Sequence, residues 1–130
     1  MNTQQKFIIV DDDTINNALC QIAIKTSVKG AFVKAFTIPE EGFDYLVKNT
    51  NDNKNDQAIV FLDLNMPRVS GWEFLDYFDK LDEQVRARYK IYILTTSFDL
   101  RDKERALTNK NVVDYIVKPL TTEIVGKILS

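Results

Sequence analysis

The stretch FIIVDDDT, residues 7–14, places an uninterrupted apolar run directly before three consecutive aspartates. The run from Phe7 to Val10 is short and rich in β-branched residues, which is typical of a strand buried on both faces of a parallel sheet. Neighbouring carboxylates repel each other and raise one another's pKa where water is scarce. The stretch therefore predicts a buried strand that ends at an acidic site, where some partner must offset the repulsion.

The rest of the chain repeats this order of an apolar run followed by a helical pattern. Further strands are predicted at residues 31–37, 58–64, 91–97 and 112–119, and the polar stretch 49–57 is predicted to be a surface loop. Strands that alternate with helices predict an α/β fold with a parallel sheet and helices on both faces. After the first strand, apolar residues at helical spacing predict the buried face of a helix: Ile15, Ala18, Leu19, Ile22 and Ala23.

The composition excludes several classes of site and partner. The chain of 130 residues contains no His, which excludes His-dependent metal sites and catalytic triads, and its single Cys20 cannot form an internal disulfide. With 17 basic and 19 acidic residues there is no basic excess of the kind that binds nucleic acid. No apolar run long enough for a membrane span and no secretory leader are visible, so we expect a single cytoplasmic domain.

Polar side chains stand at the carboxyl ends of the predicted strands. Asp11 and Asp12 follow the first strand, Asp63 ends the third, Thr95 the fourth and Lys118 the fifth. In sheets of this kind the ligand site lies at that edge. Each residue alone has an ordinary alternative as a helix cap, a strand former or a solvated charge. Together, the carboxylates suit a Mg²⁺-type ion, and the hydroxyl and ammonium suit a phosphoryl group beside it.

Four motifs make the chain resemble the receiver domain of bacterial two-component response regulators over essentially all 130 residues. They are VDD at 10–12, FLDLNMPRVSGWEFL at 61–75, ILTTS at 93–97 and DYIVKPLT at 114–121. The resemblance implies a flavodoxin-like (βα)5 fold with strand order 2-1-3-4-5, an order for which the family's chemotaxis member is a standard example. It also implies that residues 1–130 form one receiver domain without an output domain.

The resemblance implies a phosphoryl-accepting role for the acidic site. Asp63 would accept a phosphoryl group from a histidine of a sensor histidine kinase or a histidine phosphotransfer protein, forming an aspartyl phosphate. Asp12, Asp63 and the backbone carbonyl of Asn65 would bind Mg²⁺ (or Mn²⁺), with Asp11 contributing indirectly. Such a chain is a signalling phosphoacceptor and not an enzyme acting on a separate substrate.

The same resemblance implies how the signal leaves the site. Lys118 would bind the phosphoryl oxygens, and its bond to Pro119 would be the family's cis peptide. Thr95 would hydrogen-bond the phosphoryl group after transfer, and Tyr115 would move with it as a switch, although Tyr115 is equally well explained as a half-buried strand aromatic. A downstream protein would then contact the face formed by the fourth helix, fifth strand and fifth helix.

Two other functions fit part of the sequence. IIVDDDT nearly matches the strand followed by Asp-x-Asp of haloacid-dehalogenase-type phosphohydrolases, with Asp11 as nucleophile and Asp13 as acid/base. Those enzymes need a late acidic metal pair, where this chain has threonines and Lys-Pro, and we expect Asp13 to belong to the start of the first helix. The second alternative is a pseudo-receiver, an interaction module of the same fold that is never phosphorylated.

Overall fold

One five-stranded parallel sheet organises the chain. The structure, a computed structural model, describes residues 4–49 and 57–130, so residues 50–56 of the predicted loop lie outside the described residues. The strands are β1 (Lys6–Val10), β2 (Phe32–Phe36), β3 (Ala58–Leu62), β4 (Tyr89–Thr95) and β5 (Val112–Val117). They pair in the order β2-β1-β3-β4-β5, all parallel. The predicted flavodoxin-like fold and strand order are confirmed.

The helices cover both faces of this sheet. They are α1 (Thr14–Ser27), α2 (Pro39–Lys48), α3 (Gly71–Asp79), α4 (Glu83–Arg86), α5 (Leu100–Leu107) and α6 (Thr122–Leu129). The single turn α4 was not anticipated, so the fourth and fifth helices of the sequence prediction correspond to α5 and α6. In the described ranges, no helix has the length and apolar content that crossing a membrane requires.

Two apolar clusters, one on each face of the sheet, form the core. Alternate strand residues point to opposite faces, so Phe7 and Ile9 pack with α1 and α6, whereas Ile8 and Val10 pack with α2, α3 and α5. All five residues of β3 are buried. The continuous apolar strands are therefore explained by helices on both sides.

The buried face of α1 differs from the prediction. Ile15, Leu19 and Ile22 are exposed, with 72%, 53% and 63% of their surface accessible, and Ala18 is exposed as well. Of the predicted stripe, Ala23 is buried as expected. The residues that face the sheet are Asn16, Asn17, Cys20, Ala23 and Ile24. Both sets have helical spacing, so periodicity could not distinguish them. The face with the two asparagines is buried because their amides donate hydrogen bonds to the end of β1.

Three strands end two residues earlier than predicted. β3 ends at Leu62, β4 at Thr95 and β5 at Val117. Asp63 and Lys118 are consequently the first residues beyond their strands, where the backbone is free of the sheet ladder and the side chains reach the crevice at its carboxyl edge.

Candidate functional site

The register of the sheet brings the predicted acidic residues together. Val10 pairs with Leu62, so Asp11 and Asp63 follow neighbouring strand ends, and the Asp63 amide donates to the Val10 carbonyl at 3.0 Å. Asp11, Asp12 and Asp63 each offer a carboxylate oxygen within 4.8 Å of the other two. Asp11 and Asp63 are buried, whereas Asp12 is exposed, so the cluster opens to solvent on the Asp12 side.

Lys118 reaches both buried carboxylates from the end of β5. Its Nζ lies 2.7 Å from Asp11 Oδ2 and 3.4 Å from Asp63 Oδ2. The Lys118 amide donates to the Thr95 carbonyl at 2.8 Å, and the Lys118–Pro119 peptide bond is cis. The structure thus places the lysine in the crevice that the sequence assigned to it.

The site holds more negative than positive charge. Burial raises the pKa of Asp63, and the charge of Asp11 raises it further, although Lys118, the Thr95 hydroxyl and the Asn65 amide act in the opposite direction. Partial burial acts to lower the pKa of Lys118, but the hydrogen bond and charge of Asp11 and the charge of Asp63 outweigh it, so this pKa is raised. Three carboxylates around one ammonium leave two negative charges, which a divalent cation with oxygen ligands would neutralise.

Residues at the start of α1 hold Asp11 in place. Its Oδ1 accepts from the Asp13 amide at 2.9 Å, its Oδ2 accepts from Asn16 Nδ2 at 2.8 Å, and its backbone carbonyl accepts from Asn17 Nδ2 at 2.9 Å. Asn16 and Asn17 were not among the predicted site residues. The available signal was that Asn16, Cys20, Ala23 and Ile24 form a second helical stripe, in which a polar residue occupies the position nearest the acidic cluster.

Asp13 belongs to the helix start, as predicted. Its Oδ1 accepts hydrogen bonds from the amides of Ile15 at 3.0 Å and Asn16 at 3.2 Å, which satisfies two of the free donors at the N-terminus of α1. The prediction is confirmed. A carboxylate engaged in this way is not placed as the acid/base that the phosphohydrolase alternative requires.

The loop after Asp63 depends on a glycine. The Gly71 amide donates to the Leu64 carbonyl at 2.9 Å, and a Cβ at residue 71 would collide with the Asp63 carbonyl oxygen and lie 2.7 Å from Leu64 Cα. Only a residue without a side chain allows α3 to begin this close to β3. Asn65 lies in the same loop, exposed, with its amide 3.4 Å from Asp63 Oδ1.

Thr95 and Tyr115 are linked through the loop that follows β4. Thr95 is fully buried, and its Oγ1 lies 3.4 Å from the Ser97 amide. The Tyr115 hydroxyl donates to the Ser97 carbonyl at 2.8 Å, and the Ser97 hydroxyl lies 2.7 Å from an Asp102 carboxylate oxygen in α5. Hydrogen bonds through Ser97 therefore connect Thr95 to both α5 and β5.

A model of the response regulator receiver domain matches residues 7–129. The chain therefore belongs to the response regulator receiver family of two-component signalling systems. Proteins of this family are phosphoacceptors that bind Mg²⁺ at an acidic pocket and interact with histidine kinases or phosphotransfer proteins and with downstream targets.

Individual relatives agree with this assignment. The chain is 31% identical to the probable methanogenesis regulatory protein FilR2 of Methanothrix harundinacea, over 95% of this chain and 79% of that protein. It resembles the crystal structure of a response regulator receiver protein from Dyadobacter fermentans with a TM-score of 0.86 and 27% identity, covering 96% and 94% of the two chains. The chemotaxis protein CheY4 of Vibrio cholerae, at 22% identity and a TM-score of 0.76 over 98% and 97% of the chains, shares the fold.

Proposed function

We propose that this receiver accepts a phosphoryl group on Asp63 in a Mg²⁺-dependent reaction and signals through a change of its surface. The observation that carries the proposal is the position of Asp63. Its buried carboxylate lies at the end of the central strand, with Asp11 and Asp12 within 4.8 Å and the Lys118 ammonium at 3.4 Å. A nucleophile, an acidic cation site and a fixed positive charge meet at one point.

The donor in this proposal is a phosphohistidine of another protein, because the chain contains no His. A carboxylate oxygen of Asp63 attacks phosphorus and forms the new P–O bond. The P–N bond of the phosphohistidine breaks, and its electron pair returns to the imidazole nitrogen of the donor. Phosphoryl transfer needs mainly positioning and neutralisation of the charge on the equatorial oxygens. The register of β1 against β3 positions the acceptor.

The charges around Asp63 have separate tasks in this reaction. Asp12, Asp63 and the Asn65 carbonyl would hold Mg²⁺, which when bound supplies positive charge to the phosphoryl oxygens. Lys118 would supply a second positive charge from the end of β5, where its ammonium lies 3.4 Å from Asp63 Oδ2. Thr95, whose hydroxyl acts to lower the pKa of Asp63, would donate to a phosphoryl oxygen after transfer.

The exposed face of α1 supports a protein donor. Ile15, Ala18, Leu19 and Ile22 form an apolar stripe at helical spacing that starts three residues after Asp12. An exposed stripe of this kind suits an apolar helix face of a second protein. Its place beside the acidic cluster would bring the histidine of that protein to Asp63.

The face formed by α5, β5 and α6 is proposed as the output surface. Tyr115 and Asp102 connect it to the loop after Thr95 through Ser97. Val113 and Val117, on the edge strand β5, are 51% and 42% exposed and provide apolar area for a target protein. A phosphoryl group that recruits Thr95 would change the loop and therefore this face.

Acetyl phosphate tests the proposal directly. The purified protein is incubated with acetyl phosphate, with and without MgCl2, separated on Phos-tag gels, and the modified residue is located by borohydride reduction and mass spectrometry. We expect a Mg²⁺-dependent shifted band in the wild type and in the exposed-surface control Asp76→Asn, and none in Asp63→Asn. Modification at Asp11 would instead support the phosphohydrolase, and unmodified wild-type protein that also does not respond to beryllofluoride would support the pseudo-receiver.

A further inference from the structure

We propose that Asn16 is a positioning residue of the metal site: its side-chain amide holds the Asp11 carboxylate in the orientation that faces the cation. This inference rests on the proposed function, because it concerns the Mg²⁺ that the acidic cluster would bind. Asn16 itself is not a ligand in this proposal and acts through Asp11.

The contact between the two side chains is short and buried. Asn16 Nδ2 donates to Asp11 Oδ2 at 2.8 Å, and the two residues are 7% and 1% exposed. The opposite oxygen, Asp11 Oδ1, accepts from the Asp13 amide at 2.9 Å. Both carboxylate oxygens are therefore held by α1 or its cap, which fixes the plane of the carboxylate against Asp12 and Asp63.

Lys118 cannot take over this task. It also lies 2.7 Å from Asp11 Oδ2, but the same ammonium lies 3.4 Å from Asp63. In the proposed reaction it also pairs with the phosphoryl group on Asp63, so its charge is shared and not dedicated to Asp11. Asn16 is then the side-chain donor that keeps Asp11 Oδ2 in place, since its position is set by the α1 backbone.

Removal of such a donor weakens a metal site in a characteristic way. Groups that hydrogen-bond a metal-ligating carboxylate orient it, and their loss costs about 10- to 100-fold in metal affinity. Asp11 contributes to the proposed site indirectly, so the lower end of this range is expected for Asn16. Ile24 lies on the same buried face of α1 and is fully buried. Ile24→Val removes one methyl group and no hydrogen-bonding group, so it provides a control for changes in packing at this face.

The experiment measures Mg²⁺ binding by isothermal titration calorimetry, with the melting temperature of each metal-free variant recorded by circular dichroism. The variants are Asn16→Leu, which has a similar volume and no donor, Asn16→Ser, which loses the Nδ2 donor and has a side chain one bond shorter, and Ile24→Val. We expect the Mg²⁺ dissociation constant to rise about tenfold in both Asn16 variants. Ile24→Val should bind Mg²⁺ like the wild type, even where its melting temperature falls.

The outcomes separate this inference from the proposed function. A wild-type protein that does not bind Mg²⁺ would remove the basis of both. If the wild type binds and the Asn16 variants bind equally well, the inference is wrong and the proposed function stands. An equal loss of affinity in Ile24→Val would also overturn it, because the effect would then come from packing. Should Asn16→Leu not fold, Asn16→Ser decides, since it removes the Nδ2 donor without placing apolar atoms against the Asp11 carboxylate.

Discussion

The Lys118 ammonium lies closer to Asp11, at 2.7 Å, than to Asp63, at 3.4 Å. A single lysine thus neutralises part of two buried carboxylates, and the carboxylate it approaches most closely is not the proposed phosphoacceptor. In the proposed reaction Lys118 also shares its charge with a phosphoryl group on Asp63. That sharing costs less when a cation already neutralises Asp11 and Asp12, which connects metal binding to phosphoryl transfer.

Lys118→Met is expected to destabilise the metal-free protein strongly. The Lys118 side chain is 11% exposed, and removing one partner of a buried ion pair costs about 3–5 kcal/mol because a buried charge is left uncompensated. Mg²⁺ should recover part of this loss in urea unfolding. The control Lys127→Met removes a 76% exposed lysine that lies 3.8 Å from Glu123, and it should change the unfolding free energy by less than about 1 kcal/mol. Equal effects of the two substitutions would contradict the proposed electrostatics.

Asp63→Asn is expected to raise the melting temperature of the metal-free protein at neutral pH. Burial, with the charge of Asp11, raises the pKa of Asp63 above its ordinary value of 3.8. Between these two pKa values the folded state holds a proton that the unfolded state has lost, so the wild type loses stability as pH rises through this range. The gain in melting temperature of Asp63→Asn over the wild type should therefore shrink below pH 4, where Asp63 is protonated in both the folded and the unfolded state. A gain that grows on acidification would contradict the raised pKa of Asp63.

Gly71→Ala and Gly126→Ala are expected to have opposite effects on stability. A methyl group at residue 71 meets the backbone of Asp63 and Leu64, which cannot move without displacing the proposed acceptor, so a loss of about 1–3 kcal/mol is expected. At Gly126, in α6, nothing lies within 4 Å of the added methyl group. There the higher helix propensity of alanine should add about 0.5–1 kcal/mol. Chemical denaturation measures both, and a tolerated Gly71→Ala would disprove the close approach.

Ile24→Ala and Ile22→Ala test which face of α1 is buried. Ile24 is fully buried, and truncating such a side chain costs about 2–5 kcal/mol. Ile22 is 63% exposed, and its truncation should change the free energy of unfolding by no more than about 0.5 kcal/mol. If Ile22→Ala lowers the free energy of unfolding in urea more than Ile24→Ala does, the buried face of α1 is the one that the apolar spacing predicts.

Arg105→Ala is expected to change the fluorescence of Trp72, the single tryptophan of the chain. The Arg105 guanidinium carbon, in α5, lies 4.0 Å from the centre of the Trp72 ring in α3. Losing this contact should cost about 0.5–1 kcal/mol and alter the emission maximum. Because the proposed signal moves α5, beryllofluoride with Mg²⁺ should change the emission of the wild type and of the exposed control Lys103→Ala more than that of Arg105→Ala. If the emission of all three proteins changes equally, the Arg105 contact does not carry the change at α5 to Trp72.

The fold and the main site could be predicted because their signals are local in the sequence. Residues 7–10 of β1 and the whole of β3 are continuous apolar runs, and Asp11, Asp63 and Lys118 directly follow β1, β3 and β5. In a parallel sheet the carboxyl ends share one edge, so residues far apart in the chain meet without any knowledge of side-chain packing. The metal-binding and phosphoryl-accepting roles of these residues remain proposals.

The sequence by itself determined the sheet, its helices on both faces and the set of charged residues at its carboxyl edge. Only the tertiary structure decided which side of α1 is buried, because Ile15, Leu19 and Ile22 have the same helical period as Asn16, Cys20 and Ile24. The choice depends on hydrogen bonds from the asparagines to Asp11, which exist only once α1 lies against the end of β1. The spacing of apolar residues depends only on the sequence of one helix. A buried polar group needs a hydrogen-bond partner, and here that partner lies on another element.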